Sequence, residues 1–460
     1  DTMVTEAAAA DEGEAPLSDD ILIDIEMIDC EGGFGSDADD DNATTSSDGS
    51  FSLVCETRMP ERWATLLHQL RGNDPALTQL NLGQFYYREV TKYLPMLCEA
   101  MEVNTTVTGV QCLLDDFGEY PSQSQNLATL IAKCVNLQDL SVDWYERTSF
   151  SALLWDSIAT RSSLKRLDIF LPADLEFGRG KASAIDQSAF EEYLALSTTL
   201  DSLRVRMPRR GSPPLESSVA SFSDGLRRNS GLKVLEIVGH NGKNDHKTDM
   251  GDGLVPILLP TSLTLKELSI RYCRIANACV FEQFLDGNHL LEKLTIRGCD
   301  FPRTDFLQPL VRGVLRSHAL KVLDLTVAEP PPRPDLFPSH RREVISEITE
   351  ASGLKKSKET EASGVLLYQM LHDRSTTLKE LILRNCPANV VKEVARGLHS
   401  NCRLQVLRLK YCFMSSDAAI SLQKALGLNE VLETLEMSCR GGDYVAAVSR
   451  GVAVNNTLTE

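Results

Sequence analysis

Residues 404–409 read Leu404-Gln405-Val406-Leu407-Arg408-Leu409, and residues 378–383 read Leu378-Lys379-Glu380-Leu381-Ile382-Leu383. The shared phrase, Leu-x-x-Leu-x-Leu with other apolar residues sometimes standing in, returns along nearly the whole chain. Its first positions fall at Leu77, Val107, Leu137, Leu164, Leu200, Leu232, Leu265, Leu291, Leu320, Leu378, Leu404 and Leu432, and Leu458 opens a further copy. Apolar residues alternating at period two describe a short strand with one buried side. The segment after each phrase has helical spacing instead, as in residues 389–400, where Val390, Val391, Val394 and Leu398 fall on one stripe. Strand, loop, helix and return form one unit, which buries its apolar side only by stacking on the next.

Three residues before the first apolar position stand Asn104, Asn229, Asn288, Asn401, Asn429 and Asn455, with Ser197 and Ser317 in related places. Asparagine tolerates the left-handed backbone that closes many helices, so these residues are expected to end helices in that conformation. Successive first positions lie 26 to 30 residues apart in most units. They lie 36, 32 and 33 apart in the units beginning at Leu164, Leu200 and Leu232, and 58 apart in the one beginning at Leu320. The additions fall between strand and helix, at 172–184, 208–217, 240–253 and about 329–363, and are therefore expected on one edge of the array.

This pattern resembles the ribonuclease-inhibitor-like leucine-rich repeats over roughly residues 60–460. The resemblance implies a right-handed α/β solenoid, a horseshoe of about twelve repeats with parallel strands on the concave face and helices on the convex face. Cys273, Cys299, Cys386 and Cys412, each three residues after the last strand hydrophobe, fall where that class often carries Asn or Cys. Pro172, Pro208 and His240 depart from it at the same place. Three segments follow from these readings: an acidic arm over 1–50, an N-terminal cap over 51–76, and the repeat array over 77–460.

The cap carries Trp63, Leu66, Leu67 and Leu70 at helical spacing. The arm contains sixteen Asp and Glu and no Lys or Arg, so it cannot bury enough apolar surface to offset chain entropy and disorder is expected there. It accounts for most of the net charge of −18 and leaves 49 acidic against 47 basic residues elsewhere. No apolar run reaches the roughly 18 residues of a membrane-spanning helix, so no membrane partner is expected. Twelve cysteines, several of them within the repeat pattern, suit a reducing compartment, cytoplasmic or nuclear.

The sequence lacks His-Glu-x-x-His, a phosphate loop ending in Gly-Lys-Ser or Gly-Lys-Thr, and Gly-x-Ser-x-Gly. The His240, Asp245, His246 and Asp249 cluster matches no metal cage by its spacing, so neither catalysis nor a cofactor is expected. What stands out is the strand position one register past the last hydrophobe, occupied by Arg206, Arg271, Arg297, Arg384 and Lys410. Trp144, Tyr272 and Tyr411 come one residue later on their strands, and Arg204 and Arg408 lie two residues earlier than Arg206 and Lys410.

Stacked about 4.8 Å apart, these residues would make a basic column with aromatic neighbours on the concave face, although Glu236, Asp324 and Glu436 make other rows of that face acidic. Arg179, Lys181, Arg209, Arg210, Lys243 and Lys247 would extend it along the loop-bearing edge. The expected function is a non-catalytic interaction scaffold that grips an acidic protein surface, with nucleic acid disfavoured by the nearly neutral body. A self-contact with the acidic arm is a further expectation, while Pro330-Pro331-Pro332-Arg333-Pro334 reads first as part of a flexible insertion, with docking on an aromatic groove of a partner as the alternative. As exposed charges, the column arginines are expected to contribute little to folding. Within the same repeat class, resemblance also raises a regulator of a small GTPase, like the Ran GTPase-activating proteins. A ubiquitin-ligase substrate-recognition subunit is the other alternative, although residues 59–70 only faintly echo an F-box.

Overall fold

The computed structural model describes residues 59–460 except 86, 114–121, 144–151, 162, 171–186, 208–215, 240–247, 250–253, 259–263, 302–306, 328–361, 374–375, 441–443 and 460. The acidic arm, most of the four additions including the Pro-rich segment, the His240 cluster apart from Asp249, and Trp144 lie outside the described residues. Residues 59–460 form one compact unit.

The strands are β1 (Gln79–Asn81), β2 (Gly109–Leu113), β3 (Asp139–Asp143), β4 (Arg166–Phe170), β5 (Ser202–Arg206), β6 (Val234–Val238), β7 (Thr248–Asp249), β8 (Glu267–Arg271), β9 (Cys273–Arg274), β10 (Lys293–Arg297), β11 (Val322–Thr326), β12 (Glu380–Arg384), β13 (Val406–Phe413) and β14 (Thr434–Arg440). All but β7 and β9 join one twelve-stranded parallel sheet in chain order. Each full Leu-x-x-Leu-x-Leu copy thus supplies one strand. Helices alternate with most of the strands, and successive helices pack together from Glu61–Arg71 to Leu307–Arg316 and again from Ala388–Leu398 to Tyr444–Val454.

The register explains why one phrase suffices. The second apolar position of every copy lines up across the sheet, from Leu80 beside Val110 to Leu407 beside Leu435. Between them run Leu140, Leu167, Leu203, Leu235, Leu268, Leu294, Leu323 and Leu381. A slip of one residue would turn this whole row out of the core. Helix side chains close the core from one side, as Val390, Val391, Val394 and Leu398 do in the helix Ala388–Leu398. At the N-terminal end Trp63, Leu66, Leu67 and Leu70 of the helix Glu61–Arg71 are buried, so part of the expected cap covers the first repeat. The chain turns one short addition into structure: β7 pairs in parallel with β9, just past the end of β8.

The asparagines work differently from the expectation. Asn288 and Asn429 end their helices with φ of −99° and −82°, extended rather than left-handed. None of the six asparagines is among the residues with positive φ. Their side chains do the work. Asn429 Nδ2 donates to the Leu398 carbonyl at 2.8 Å and the Asn401 carbonyl at 3.0 Å, both in the preceding repeat. Its Oδ1 accepts from the amides of Val431 and Leu432 at 3.0 and 2.7 Å.

Asn104, Asn229, Asn288, Asn401 and Asn455 repeat the pattern, donating to Leu70, Leu194, Leu265, Leu371 and Leu426. Each one joins two repeats and satisfies backbone groups that the helix end leaves without partners. In the repeat beginning at Leu164 an arginine takes over: Arg161 donates to the carbonyls of Cys134 and Ala132.

The cysteines fill a similar gap at the other end of the strands. Cys299 donates its thiol to the Ile270 carbonyl and Cys412 to the Leu383 carbonyl, one repeat back in each case. Cys273, Cys386 and Cys412 are buried, and the ten described cysteines are all free. Burial pushes the Cys134 thiol up to about 12 and those of Cys273 and Cys386 well above the ordinary range.

Candidate partner-binding face

The expected column lies at one level of the sheet, but as two neighbouring pairs and a separate Arg206. Arg297 lies in register with Arg271, and Arg384 with Lys410. Arg206 lies between Phe170 and Val238, which separates it from Arg271 by one strand. Thr326 is the register partner of Arg384 on β11. These side chains occupy the sheet face that alternates with the buried leucines.

The row is not a free basic surface, which corrects the simple electrostatic picture. Arg206 Nε bonds Asp168 at 2.8 Å while its Nη1 bonds Asp143 at 2.9 Å. Glu236 lies between Arg204, at 3.5 Å, and Arg271, at 3.1 Å. Arg408 reaches Glu380 at 2.9 Å and Glu436 at 2.8 Å, and Lys410 reaches Glu436 at 2.9 Å. Six carboxylates, including that of Asp324, therefore face the seven cations. Sequence reading located Glu236, Asp324 and Glu436 but could not pair them, because pairing depends on which strands stand side by side. Asp143, Asp168 and Glu380 were missed for the same reason.

Asp324 is the tightest of these sites. Its side chain is 1 % exposed, and two arginines from different strands hold it. Arg297 bonds Oδ2 through Nε at 3.0 Å and Nη2 at 2.5 Å, while Arg384 bonds Oδ1 through Nε at 3.0 Å and Oδ2 through Nη2 at 3.3 Å. A buried carboxylate is stable only when paired and hydrogen-bonded. Arg297 and Arg384 are therefore not the exposed charges that the sequence suggested, and the reason for expecting them to contribute little to folding does not hold for them.

The other carboxylates sit in contrasting fields. Burial pushes the Asp168 carboxyl up, against the opposing pull of Arg206. The hydrogen bond from Lys410, followed by that from Arg408, holds Glu436 below its usual range.

After four of the five row positions the backbone turns left-handed, whereas Met207, after Arg206, does not. Tyr272, Gly298, Asn385 and Tyr411 all have positive φ, at 56°, 59°, 53° and 56°. Such a turn lets these four strands change direction at the same point, and Gly or Asn is the usual occupant. A residue with a bulky side chain costs about 1–2 kcal/mol there. Tyr272 lies against its neighbours: a Cβ on Gly298 would come within 2.8 Å of its ring, and one on Gly239 within 2.2 Å of its carbonyl oxygen. Tyr411 has no such cover. It is the extra residue where the register shifts between Lys410 and Cys412, and it is 52 % exposed. A bulge of this kind re-aims a side chain.

Two residues beside it had not been singled out from sequence, Phe413 and Arg440. They are register partners on β13 and β14, Phe413 is 39 % exposed, and the Arg440 guanidinium lies 5.9 Å from the centre of the Tyr411 ring. Phe413 lies just outside the repeat phrase, and only the bulge at Tyr411 brings it to the same face. Comparison with family models and with curated proteins returns no match.

Arg179, Lys181, Arg209, Arg210, Lys243 and Lys247 lie outside the described residues, as does Trp144, so the described part of the face is the strand row alone. Among the described residues no group of three or more His, Cys, Asp or Glu side chains is arranged to hold a metal ion. No helix among them is long and apolar enough to cross a membrane.

Proposed function

We propose that this protein is a non-catalytic scaffold that binds a protein partner along the sheet face opposite the helices and along the strand-to-helix edge. The observation that carries the reading is the row itself. Seven cationic side chains are each fixed by carboxylates on neighbouring strands, next to two tyrosines held at positive φ. Long side chains already locked in place lose little entropy on binding, and Tyr and Arg are the residue types that dominate interface energetics. Near-neutral pairing along most of the row favours a partner selected by shape and aromatic contact as much as by charge.

In this reading the repeats form a right-handed horseshoe of the ribonuclease-inhibitor-like leucine-rich kind, with the row on its concave side. The free thiols stacked between repeats suit a reducing, intracellular setting. The test is a footprint. Partners captured from a cell extract should protect Lys410 from amine labelling and Tyr272 and Tyr411 from tyrosine labelling. Protection confined to the outward helix faces, or turnover of a captured molecule, would refute the scaffold reading.

A further inference from the structure

Resting on that reading, we propose that Tyr411, Phe413 and Arg440 form its anchoring hot spot, and that they take a peptide segment in which carboxylate and aliphatic side chains alternate. Three observations converge here. Tyr411 keeps a bulky side chain at φ 56°, where the preceding repeat places Asn385 and an earlier one Gly298, and the residue is more than half exposed. Its ring contact among the described residues is with the Arg440 guanidinium at 5.9 Å, whereas the Tyr272 ring covers Gly298. Strained residues of this kind concentrate where a side chain is aimed for binding.

Phe413 is also exposed, on the strand position directly beside Arg440. An exposed tyrosine beside a guanidinium, with a second exposed aromatic residue on the partner strand position, offers apolar surface and a cation together. The charge state of that cation decides the partner's chemistry. Each of the seven cations of the row is matched by a carboxylate of the protein, whereas Arg440 has no carboxylate partner among the described residues. A partner carboxylate placed over Arg440 completes the pattern already present on the other strands. An aliphatic side chain next to it covers the rings. A cationic segment would place its charge against the Arg440 guanidinium and be disfavoured there.

The probe is a fluorescein-labelled decapeptide of alternating leucine and aspartate, titrated into the full chain by fluorescence anisotropy. A matching peptide with lysine in place of aspartate serves as control. Saturable binding at least tenfold tighter for the aspartate peptide is expected, with Arg440→Ala and Phe413→Ala each weakening it at least tenfold. Arg440→Lys should retain most of the affinity.

The decisive variant is Tyr411→Asn, which installs a residue suited to positive φ, as Asn385 is one repeat earlier. It should unfold at an equal or higher urea concentration than the natural protein and still lose at least tenfold in binding. A purely structural tyrosine would give the opposite stability result. Absence of saturable binding, equal binding of the lysine peptide, or affinity unchanged by all three alanine and asparagine variants overturns the hot spot. The footprint of captured partners on Lys410 and Tyr272 then stands or falls independently.

Discussion

Replacing Arg297 and Arg384 by serine should destabilise the protein strongly and non-additively, because both arginines serve one buried carboxylate. Asp324 is 1 % exposed and accepts two hydrogen bonds from each guanidinium. Removing a single arginine leaves the other two bonds and one full countercharge, so each single variant should cost about 1–2 kcal/mol. Removing both leaves a negative charge without a partner in the sheet, a change that costs about 3–5 kcal/mol at a fully buried site. The arginines are themselves 29 % and 19 % exposed, so water can reach part of the gap and the lower end, about 3 kcal/mol, is expected.

The assay is urea unfolding of the four members of a double-mutant cycle, followed by circular dichroism and by hydrogen exchange of β11 and its neighbours. A repeat array can open locally, so the exchange data locate the loss. Adding Asp324→Asn to the double variant should recover a large part of the stability, because the amide is neutral. Additivity of the two single variants within about 0.5 kcal/mol, or no recovery with Asp324→Asn, would refute the shared-carboxylate account.

Asn429→Ala removes two hydrogen bonds donated to the preceding repeat and two accepted from the amides of Val431 and Leu432, and should lower stability by about 3 kcal/mol in urea titration. Exposed Asn456, with no such network among the described contacts, is the neutral control for the same substitution. Brief treatment of the native protein with iodoacetamide, read by peptide mass spectrometry, should label exposed Cys279 and Cys402 well before Cys134, Cys273 and Cys386, whose thiols burial holds in the protonated form.

Acid should weaken the fold through Glu282, Glu292 and Glu436, held below their ordinary 4.5 by hydrogen bonds from Arg312, Lys321 and Lys410 respectively. A lowered folded-state value contributes stability that is full above the unfolded value and is lost as pH falls through the folded one. Urea midpoints should therefore drop from about pH 5 to about pH 3. Glu436→Gln should flatten part of that drop. Asp168 acts in the opposite sense: its raised value makes its ionised form oppose folding, and protonation relieves this as pH falls.

The sequence by itself determined the repeating strand, its register and the order of the sheet. The Leu-x-x-Leu-x-Leu phrase carries an alternation that fixes which side of each strand is buried, and its return every 26 to 30 residues leaves stacking in chain order as the simplest way to cover that side. It also located the row at Arg206, Arg271, Arg297, Arg384 and Lys410, since position along a strand fixes the face.

Only the tertiary structure decided what those residues do. The ion pairs join residues 26 to 63 positions apart in the chain, so no local pattern reveals that Arg297 and Arg384 share Asp324 or that Arg206 reaches Asp143. The asparagines show the same limit. Their spacing marked the helix ends, but whether they turn the backbone or bond the neighbouring repeat depends on a carbonyl about 23 to 35 residues away. At Tyr411 the sequence offered a tyrosine after a lysine, as it offered one after an arginine at Tyr272. The bulge that leaves one ring exposed beside Phe413 and Arg440 arises from how β14 pairs with β13, a property of two strands and not of either alone.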